Sequence, residues 1–301
     1  MNVFVAGGSG AIGIPLVKAL VAARHQVTAL TRASSKRDEL QALGASVAVA
    51  DALDRDALIA AVKAAKPTHV IHQLTALPKG GPRRATDVDP TNRLRVDGTR
   101  NLLEAAIGAG ARRFLVGSFA LLSPRAPAAG AEDPAAAAVR SMEDQVLDAT
   151  REGLIEGVVL RYGMFYAVDN PATMAMIDMV RKRRLPVVRG DSSRLPFVSI
   201  EDAVNATVRA MDAAPPASVY DIVDDHPTSL TEVVEAIAEF TGSPKPLRVP
   251  AWLPRLLAPY LARIMSIEMP LSNDKAKAEL GWRPRYPTMR DGLAQMLPHA
   301  A

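Results

Sequence analysis

Three glycines follow the first apolar run of the chain at a spacing that suits phosphate binding. The stretch VFVAGGSGAIG places Gly7, Gly10 and Gly13 between a β-rich run and a helix-patterned segment. Glycine permits a tight turn and lets backbone N–H groups approach a diphosphate, which the helix N-terminus also attracts. We therefore predict that this turn holds the pyrophosphate of a dinucleotide. The predicted contacts are Gly7, Ser9, Gly10, Ala11, Ile12 and Gly13.

The second β-rich run ends in a basic residue. In the stretch TALTRASSK, Arg32 stands where an acid would bind the ribose of NAD, roughly 20 residues after the glycines. A guanidinium pairs with a 2′-phosphate through two parallel hydrogen bonds. The sequence thus favours NADP over NAD, and the alternative is an incidental surface arginine.

The third β-rich run ends in an acid, in the stretch VAVADALD. We predict that Asp51 and Ala52 meet the adenine edge of the dinucleotide. The alternative role for Asp51 is the N-cap of the helix that follows. Both roles are compatible with one side chain.

Short β-rich runs alternate with longer helical patterns along the first part of the chain. This alternation is typical of parallel βαβ units, so we predict an α/β fold with a Rossmann-type, doubly wound parallel sheet. The predicted dinucleotide-binding domain covers residues 1–165, and residues 198–224 return to it. Residues 166–197 and 225–301 are predicted to form a smaller C-terminal substrate lobe.

Composition excludes several classes of function. The chain has 301 residues, no cysteine and a net charge of +4, which removes disulfides and thiolate chemistry. No apolar run reaches the roughly 18 residues of a membrane span, and the one basic run, RKRR, lacks interleaved aromatics for nucleic acid. The histidines show no metal-ligand spacing. We expect a cytoplasmic protein with a small-molecule substrate and no metal, with a homodimer as the assembly to consider.

The chain resembles the extended short-chain dehydrogenase/reductase family, in its epimerase/dehydratase-like branch. The resemblance rests on GGSGAIG, DALD, HVIHQLTA, VDGTRNLLEAA, RRFLVGS, LRYGMFY and ELGWRPRY, which occur in the family's order. It implies that Gln73, Leu74 and Thr75 lie along the nicotinamide ribose. It also implies that Gly117 and Ser118 lie near the nicotinamide ring.

The same comparison exposes a missing catalytic element. The family has a Tyr-x-x-x-Lys pair four residues before a glutamate that matches Glu143, and here Ala135 and Val139 stand in the two positions. The first tyrosine of the chain is Tyr162, and no lysine lies between Lys79 and Lys182. A tyrosine with a pKa near 10 needs a neighbouring ammonium for proton exchange at neutral pH. The usual proton donor is therefore absent from its helix.

Four polar side chains are candidates for the substrate end of the site. Tyr162 is either the replacement proton donor or a residue packed between the lobes, and Ser118 either orients a carbonyl or carboxamide group or is a satisfied strand-end serine. We predict that Tyr166 shapes the substrate pocket. Arg194 either grips a substrate carboxylate or bridges the lobes. A lone histidine in an apolar strand, His72, is more often scaffold than catalyst.

The leading functional hypothesis is an NADP-dependent oxidoreductase of atypical short-chain type. It acts on a small, fairly apolar substrate without the usual Tyr/Lys pair, because hydride transfer needs chiefly cofactor and substrate in near-attack geometry. Its substrate either needs little protonation, as with an activated alkene or iminium, or is protonated by Tyr162 or water. The alternatives are a non-catalytic NADP(H)-binding sensor and, ranked third, a sugar-nucleotide epimerase or dehydratase.

Overall fold

A parallel sheet of seven strands forms the centre of the molecule. The computed structural model describes residues 1–78, 82, 84–122, 133–167, 170–257, 262 and 271–297. In space the strands of the large sheet run β10-β6-β5-β4-β1-β2-β3, all parallel, which confirms the predicted doubly wound α/β fold. The strands are β1 Asn2–Ala6, β2 Gln26–Thr31, β3 Ser46–Val49, β4 His69–His72, β5 Arg113–Phe119, β6 Glu156–Tyr162, β7 Met164–Tyr166, β8 Val187–Val188, β9 Phe197–Ser199, β10 Ser218–Ile222 and β11 Arg248–Val249.

Helices cover both faces of this sheet. One apolar cluster joins it to α1 and α8 through side chains such as Leu16 and Ala203, and another joins it to α3, α5 and α6 through Leu58, Leu102 and Val146. Burial on both faces explains the continuous apolar strands of the sequence. The helices are α1 Gly13–Ala22, α2 Arg37–Ala42, α3 Arg55–Ala65, α4 Asp89–Arg93, α5 Thr99–Gly108, α6 Pro134–Arg151, α7 Pro171–Arg181, α8 Ile200–Ala213, α9 Leu230–Phe240, α10 Trp252–Leu257, α11 Asp274–Leu280 and α12 Met289–Met296.

Helix α6, which carries Ala135 and Val139, begins with a side-chain cap and a proline. The side chain of Asp133 accepts a hydrogen bond from the backbone N–H of Ala135 at 2.9 Å, and Pro134 occupies the first helical position. The Asp133 cap satisfies an N–H group that has no partner within the helix, and Pro134 has no N–H group to satisfy. The start of α6 is therefore stabilised independently of the side chains at positions 135 and 139. That these two positions mark a missing catalytic pair stays a prediction.

A third apolar cluster lies beside the large sheet. It contains residues of α7, α9 and α12, with Ile177, Val233 and Leu293 among its buried members. Two short parallel pairs, β7 with β9 and β8 with β11, accompany it. The division of the chain into the two predicted lobes stays a prediction. Within the described residues, no helix combines the length and apolar character required to cross a bilayer.

Candidate functional site

A groove opens at the carboxyl ends of strands β1, β2 and β4, where a parallel sheet of this type binds ligands. Gly7 has a φ of +87°, and a Cβ there would lie 2.5 Å from the carbonyl oxygen of Gln73. Glycine is therefore required both by the backbone conformation and by the close approach of two chain segments. The groove is lined by Gly7, Ser9, Gly10, Leu30, Thr31, Arg32, Ala50, Asp51, Ala52, Gln73, Leu74, Thr75 and Leu94.

The N-terminus of α1 lies at this groove. A Cβ on Gly13 would lie 2.8 Å from the carbonyl carbon of Gly8, so the turn and the helix are in direct contact. Helix α1 has no side-chain cap on its N-terminal N–H groups and no acid in its first turn. The positive end of the helix dipole is therefore not neutralised by a side chain of α1, and it can attract a negatively charged group. These residues fit the pyrophosphate of a dinucleotide.

The basic residue after β2 is placed beside the groove and is not neutralised. Arg32 is exposed, lines the groove and forms no ion pair among the described residues. Lys36, by contrast, is bonded to Glu39 at 2.7 Å. The hydroxyls of Ser9 and Thr31 join the glycine turn to the end of β2 at 2.9 Å. A guanidinium is thus available at the edge of the predicted adenosine site.

The structure distinguishes between the two roles considered for Asp51. Asp51 Oδ1 accepts the backbone N–H of Leu53 at 2.9 Å within the turn after β3, and the residue lines the groove. The N-cap of α3 is Asp54, whose side chain accepts the N–H of Ala57 at 3.1 Å. The N-cap alternative for Asp51 is therefore wrong, because the N-cap of α3 lies three residues later at Asp54. Its contact with adenine stays a prediction.

Ser118 belongs to a buried polar network at the ends of β5 and β6. Its hydroxyl donates to Glu143 Oε1 at 2.6 Å. Arg161 donates to the same carboxylate through Nε at 3.0 Å and through Nη2 at 2.6 Å. A carboxylate paired with arginine accepts hydrogen bonds and donates none. The single proton of Ser118 is therefore directed to Glu143.

Tyr162 belongs to a second network on the opposite face of the sheet. Its hydroxyl accepts from Gln73 Nε2 at 3.0 Å and lies 2.7 Å from the hydroxyl of Thr207. The hydroxyl of Thr207 donates a hydrogen bond to the carbonyl oxygen of Ala203 at 2.7 Å. Because a hydroxyl has one proton, Tyr162 must be the donor in its hydrogen bond with Thr207. Burial raises the pKa of the Tyr162 phenol to about 12. This geometry favours the packing alternative for Tyr162 over the role of proton donor.

We predict that Tyr162→Phe leaves turnover unchanged within about twofold and lowers the free energy of unfolding by about 1–2 kcal/mol. The loss follows because Gln73 is left with a buried unpaired donor, while the ring is kept. Urea denaturation and steady-state kinetics check the two parts. Tyr220→Phe is the matched control, since it removes the hydroxyl bonded to Glu279 far from the groove. A tenfold fall in turnover at unchanged stability would instead make Tyr162 the proton donor.

Ala135 and Val139, the positions at which the family resemblance predicts the missing pair, lie in an apolar part of the core. Ala135 and Val139 are fully buried, and both belong to the apolar cluster that contains Leu121 and Leu122. Neither side chain carries a proton that could be exchanged, and neither carries a charge. Elsewhere, Lys275 Nζ lies 4.9 Å from the ring centre of Tyr220 within β10, and Lys277 pairs with Asp225 after β10 at 2.7 Å. The face of α6 that contains Ala135 and Val139 is therefore apolar.

The remaining candidates lie outside the groove. Tyr166 is buried in the third apolar cluster, and its hydroxyl has no partner among the described residues. Its role in the substrate pocket stays a prediction. Arg194 is exposed, and its Nη1 donates to the carbonyl oxygen of Ser193 at 2.8 Å.

The ring of His72 is buried, which lowers its pKa to about 4. Its Nδ1 accepts a hydrogen bond from the backbone N–H of Leu74, and its Nε2 is hydrogen-bonded to the hydroxyl of Thr99. His72 is scaffold.

The structure brings together most of the predicted cofactor residues but not all of them. Ala11, Ile12 and Gly13 do not line the groove, and Ile12 and Gly13 are buried. Sequence analysis missed Leu30, Thr31, Ala50 and Leu94, which complete the groove lining. The positions of Thr31 and Ala50 at strand ends could have indicated them. Thr207 carried no such signal, because its role depends on a helix that is distant in the sequence.

The fold and the groove define an enzyme class that binds a nicotinamide dinucleotide on a Rossmann-type sheet. A model of the NAD dependent epimerase/dehydratase family matches residues 3–222, and the chain belongs to this family. A solved UDP-glucose 4-epimerase of Thermus thermophilus in complex with NAD shares the fold. It superposes with a TM-score of 0.79 at 23% identity, covering 99% of this chain and 98% of its own.

Two curated relatives are reductases. The 3-diazoavenalumate denitrifying reductase of a Streptomyces sp is 38% identical over 98% of this chain and 100% of its own length. A 4-hydroxy-2-methyl-3-oxo-4-farnesyl-3,4-dihydroquinoline-1-oxide ketoreductase of Stigmatella aurantiaca is 28% identical over 97% of this chain and 95% of its own. With the family match, these relatives identify the chain as an NAD(P)-dependent oxidoreductase and not as a non-catalytic sensor.

Proposed function

We propose that this protein is an NADP(H)-dependent reductase that delivers hydride to an aryl diazo compound in its diazonium form. The observation that carries the proposal is that the described part of the chain offers no available proton donor among the candidate residues. Ala135 and Val139 are apolar and buried, Ser118 donates to Glu143, and Tyr162 donates to Thr207. A substrate that needs no proton from the protein suits such a site.

Carbonyl reduction places the heaviest demand on a proton donor. Hydride addition to a carbonyl leaves an alkoxide, and a positioned acid typically contributes 10²- to 10⁴-fold to such a step. Sugar-nucleotide epimerisation and dehydration also depend on proton exchange at the missing pair. The apolar face of α6 therefore argues against all three reactions in this chain.

A diazonium cation has the opposite requirement. Addition of one hydride neutralises its positive charge, and loss of N2 then leaves the aryl compound with hydrogen in place of the diazo group. The atoms and charges of the net reaction, ArN2⁺ + H⁻ giving ArH + N2, balance without a proton. The 38% identical relative supports this assignment, because its name describes a denitrifying reduction of a diazo compound.

The residues of the groove account for binding and orientation of the cofactor. The glycine turn and the N-terminus of α1 hold the pyrophosphate, Arg32 holds the 2′-phosphate, and Asp51 meets the adenine. When bound, the reduced cofactor supplies hydride from nicotinamide C4.

We predict that Arg32→Asp changes the preference for NADPH over NADH by about a hundredfold in favour of NADH. The variant loses a charge-assisted bond of about 1.5–3 kcal/mol and gains an acid for the ribose hydroxyls of NADH. Dissociation constants for both cofactors check it. Lys18→Asp, on an exposed position of α1 outside the groove, makes the same charge change as a control. Equal shifts in the two variants would assign the effect to net charge alone.

The proposed reaction is tested with a matched pair of substrates. Purified protein with NADPH is offered para-methoxybenzenediazonium, labelled with ¹⁵N, and para-methoxybenzaldehyde, which has the same ring. We expect labelled N2 and methoxybenzene carrying deuterium from NADPH deuterated at C4, at a rate well above that without protein. A variant that cannot bind cofactor, Gly13→Ala, measures the background. Turnover of the aldehyde without release of N2 would overturn the proposal in favour of carbonyl reduction.

A further inference from the structure

Two segments that are distant in the sequence meet outside the large sheet. Strands β8 and β11 pair in parallel, and the backbone N–H of Val187 donates to the carbonyl oxygen of Leu247 at 2.8 Å. Parallel strands place the segments that precede them at the same end of the pair. The basic run at residues 181–184 therefore lies at the same end as residues 245–247, and α10 follows shortly after β11.

The cations of this region are exposed, and most of them are not neutralised. The nearby acids each bind one partner: Asp178 Oδ2 bonds Lys182 at 2.7 Å, and Glu235 Oε1 bonds Arg248 at 2.8 Å. The other cations form no ion pair among the described residues, and they are Arg181, Arg183, Arg184, Arg189 and Lys245. This part of the surface therefore carries uncompensated positive charge.

Large apolar side chains are exposed in the same region. Leu247 is 52% exposed, Trp252 is 61% exposed and Leu256 is 70% exposed. The backbone N–H of Arg189 donates to the carbonyl oxygen of Val249 at 2.9 Å, three residues before Trp252. Trp252 and Leu256 are four residues apart on α10, so they lie on one face of the helix. We call these apolar side chains, together with the unpaired cations, the basic–apolar surface.

We propose that the basic–apolar surface docks on a lipid bilayer that carries anionic headgroups. Arginine and lysine close to such a bilayer are attracted by its negative surface potential. Tryptophan favours the boundary between headgroups and acyl chains, and leucine is stabilised when it leaves water. A helix with an exposed apolar face can lie in this boundary without crossing the membrane. None of the residues of this surface lines the cofactor groove, so docking is a property separate from the reaction.

The composition of the surface disfavours other occupants. Contact between two copies of the basic–apolar surface would bring like charges together, which costs binding energy. Binding of single-stranded nucleic acid without sequence preference uses several aromatic rings for stacking, and Trp252 is the only aromatic residue of this surface. An anionic bilayer, by contrast, attracts the cations and also takes up the apolar side chains.

Vesicle flotation tests this docking with the intact chain. One set of vesicles consists of phosphatidylcholine alone, and the other contains phosphatidylcholine and phosphatidylserine in equal parts. We expect the protein to float with the anionic vesicles and to stay in solution with the neutral ones. Binding should weaken as salt is raised, because ions screen the attraction between charges. Equal partition into both sets, or partition into neither, would overturn the inference.

Two kinds of variant locate the contact. Arg183→Gln combined with Arg184→Gln should lower the partition coefficient about thirtyfold, at about 1 kcal/mol for each cation. Trp252→Ala should lower it about tenfold, because the ring no longer enters the bilayer. Lys18→Gln combined with Arg24→Gln is the matched control, since it removes the same charge from exposed positions on α1 and shortly after it. Equal losses in the two double variants would assign binding to net charge and overturn the proposed surface.

Further measurements separate a bilayer from other partners. Urea midpoints equal to that of the wild type show that the variants are folded, because the substituted side chains are exposed. Sedimentation velocity detects a dimer, and a dimer that Trp252→Ala dissociates, without vesicle binding, would assign the surface to self-association instead. Tighter binding of a single-stranded oligonucleotide than of vesicles at equal salt would also contradict the proposal. Failure of flotation leaves the proposed reaction standing, since no substrate or cofactor is used.

Discussion

Gly13→Ala should abolish useful cofactor binding, with a fall in affinity for NADPH of at least about a hundredfold. The new methyl group would lie 2.8 Å from the carbonyl carbon and oxygen of Gly8, and closer still to the carbonyl oxygen of Gly7. These are backbone atoms in a tight turn, so relief requires the whole turn to move. The N–H groups that face the phosphate would move with it. A hundredfold loss corresponds to about 2.7 kcal/mol of binding free energy.

Fluorescence titration with NADPH measures this loss, and urea denaturation shows whether the variant is folded. Overpacking typically costs 1–3 kcal/mol, which a chain of this size tolerates. Gly108→Ala is the matched control, because Gly108 ends α5 with nothing within 4 Å of the added methyl. That control should bind NADPH normally and unfold at the same or slightly higher urea concentration. Normal binding by Gly13→Ala would show that the glycine turn does not hold the pyrophosphate.

Glu143→Ala is expected to be the most destabilising single substitution among those considered. Its carboxylate is 2% exposed and its partner, Arg161, is 7% exposed, so removal of the acid leaves a buried guanidinium without the carboxylate that it binds, and only the electrostatic attraction of Asp221 remains. Breaking a buried pair in this way costs about 3–5 kcal/mol. Ser118 loses its acceptor in the same variant. We expect a large shift of the urea midpoint, or failure to accumulate as folded protein.

Two controls separate this effect from a general loss of charge. Asp178→Ala removes an acid bonded to Lys182 on the surface of α7, where an i, i+4 pair contributes about 0.3–0.5 kcal/mol. The double variant Glu143→Met with Arg161→Met replaces the pair by hydrocarbon of similar length and should recover much of the stability. Equal urea midpoints for Glu143→Ala and Asp178→Ala would contradict the prediction.

The sheet and the phosphate end of the site were predictable because local patterns encode them. Apolar runs such as those of β1 and β4 are buried on both faces, and the glycine turn lies between a strand and a helix that are adjacent in sequence. Arg32 and Asp51 follow strands directly, so their meeting at one edge is a consequence of parallel pairing. Local sequence therefore sufficed for the adenosine half of the groove.

The roles of Ser118 and Tyr162 could not be predicted, because their hydroxyl groups donate hydrogen bonds to residues that are far away in the sequence. Thr207 is 45 residues from Tyr162, and Glu143 is 25 residues from Ser118. Motif comparison singled out Glu143 but gave no indication that it bonds Ser118. Tyr162 looked reactive in sequence because the family resemblance places it in a segment close to the nicotinamide. Its burial and its hydrogen bond to Thr207 result from the packing of α8 against β6.

The hydrocarbon face of α6 also limits what this chain could become. Ala135 is completely enclosed beside Leu121 and Val139, so a phenol ring at position 135 has no volume to occupy. An ammonium at position 139 would enter an apolar cluster without a counter-ion. Two point substitutions therefore would not create a tyrosine–lysine pair on α6, since several neighbours would have to shrink or change polarity at once. The packing around Ala135 and Val139 thus restricts the chemistry that this face of α6 can acquire.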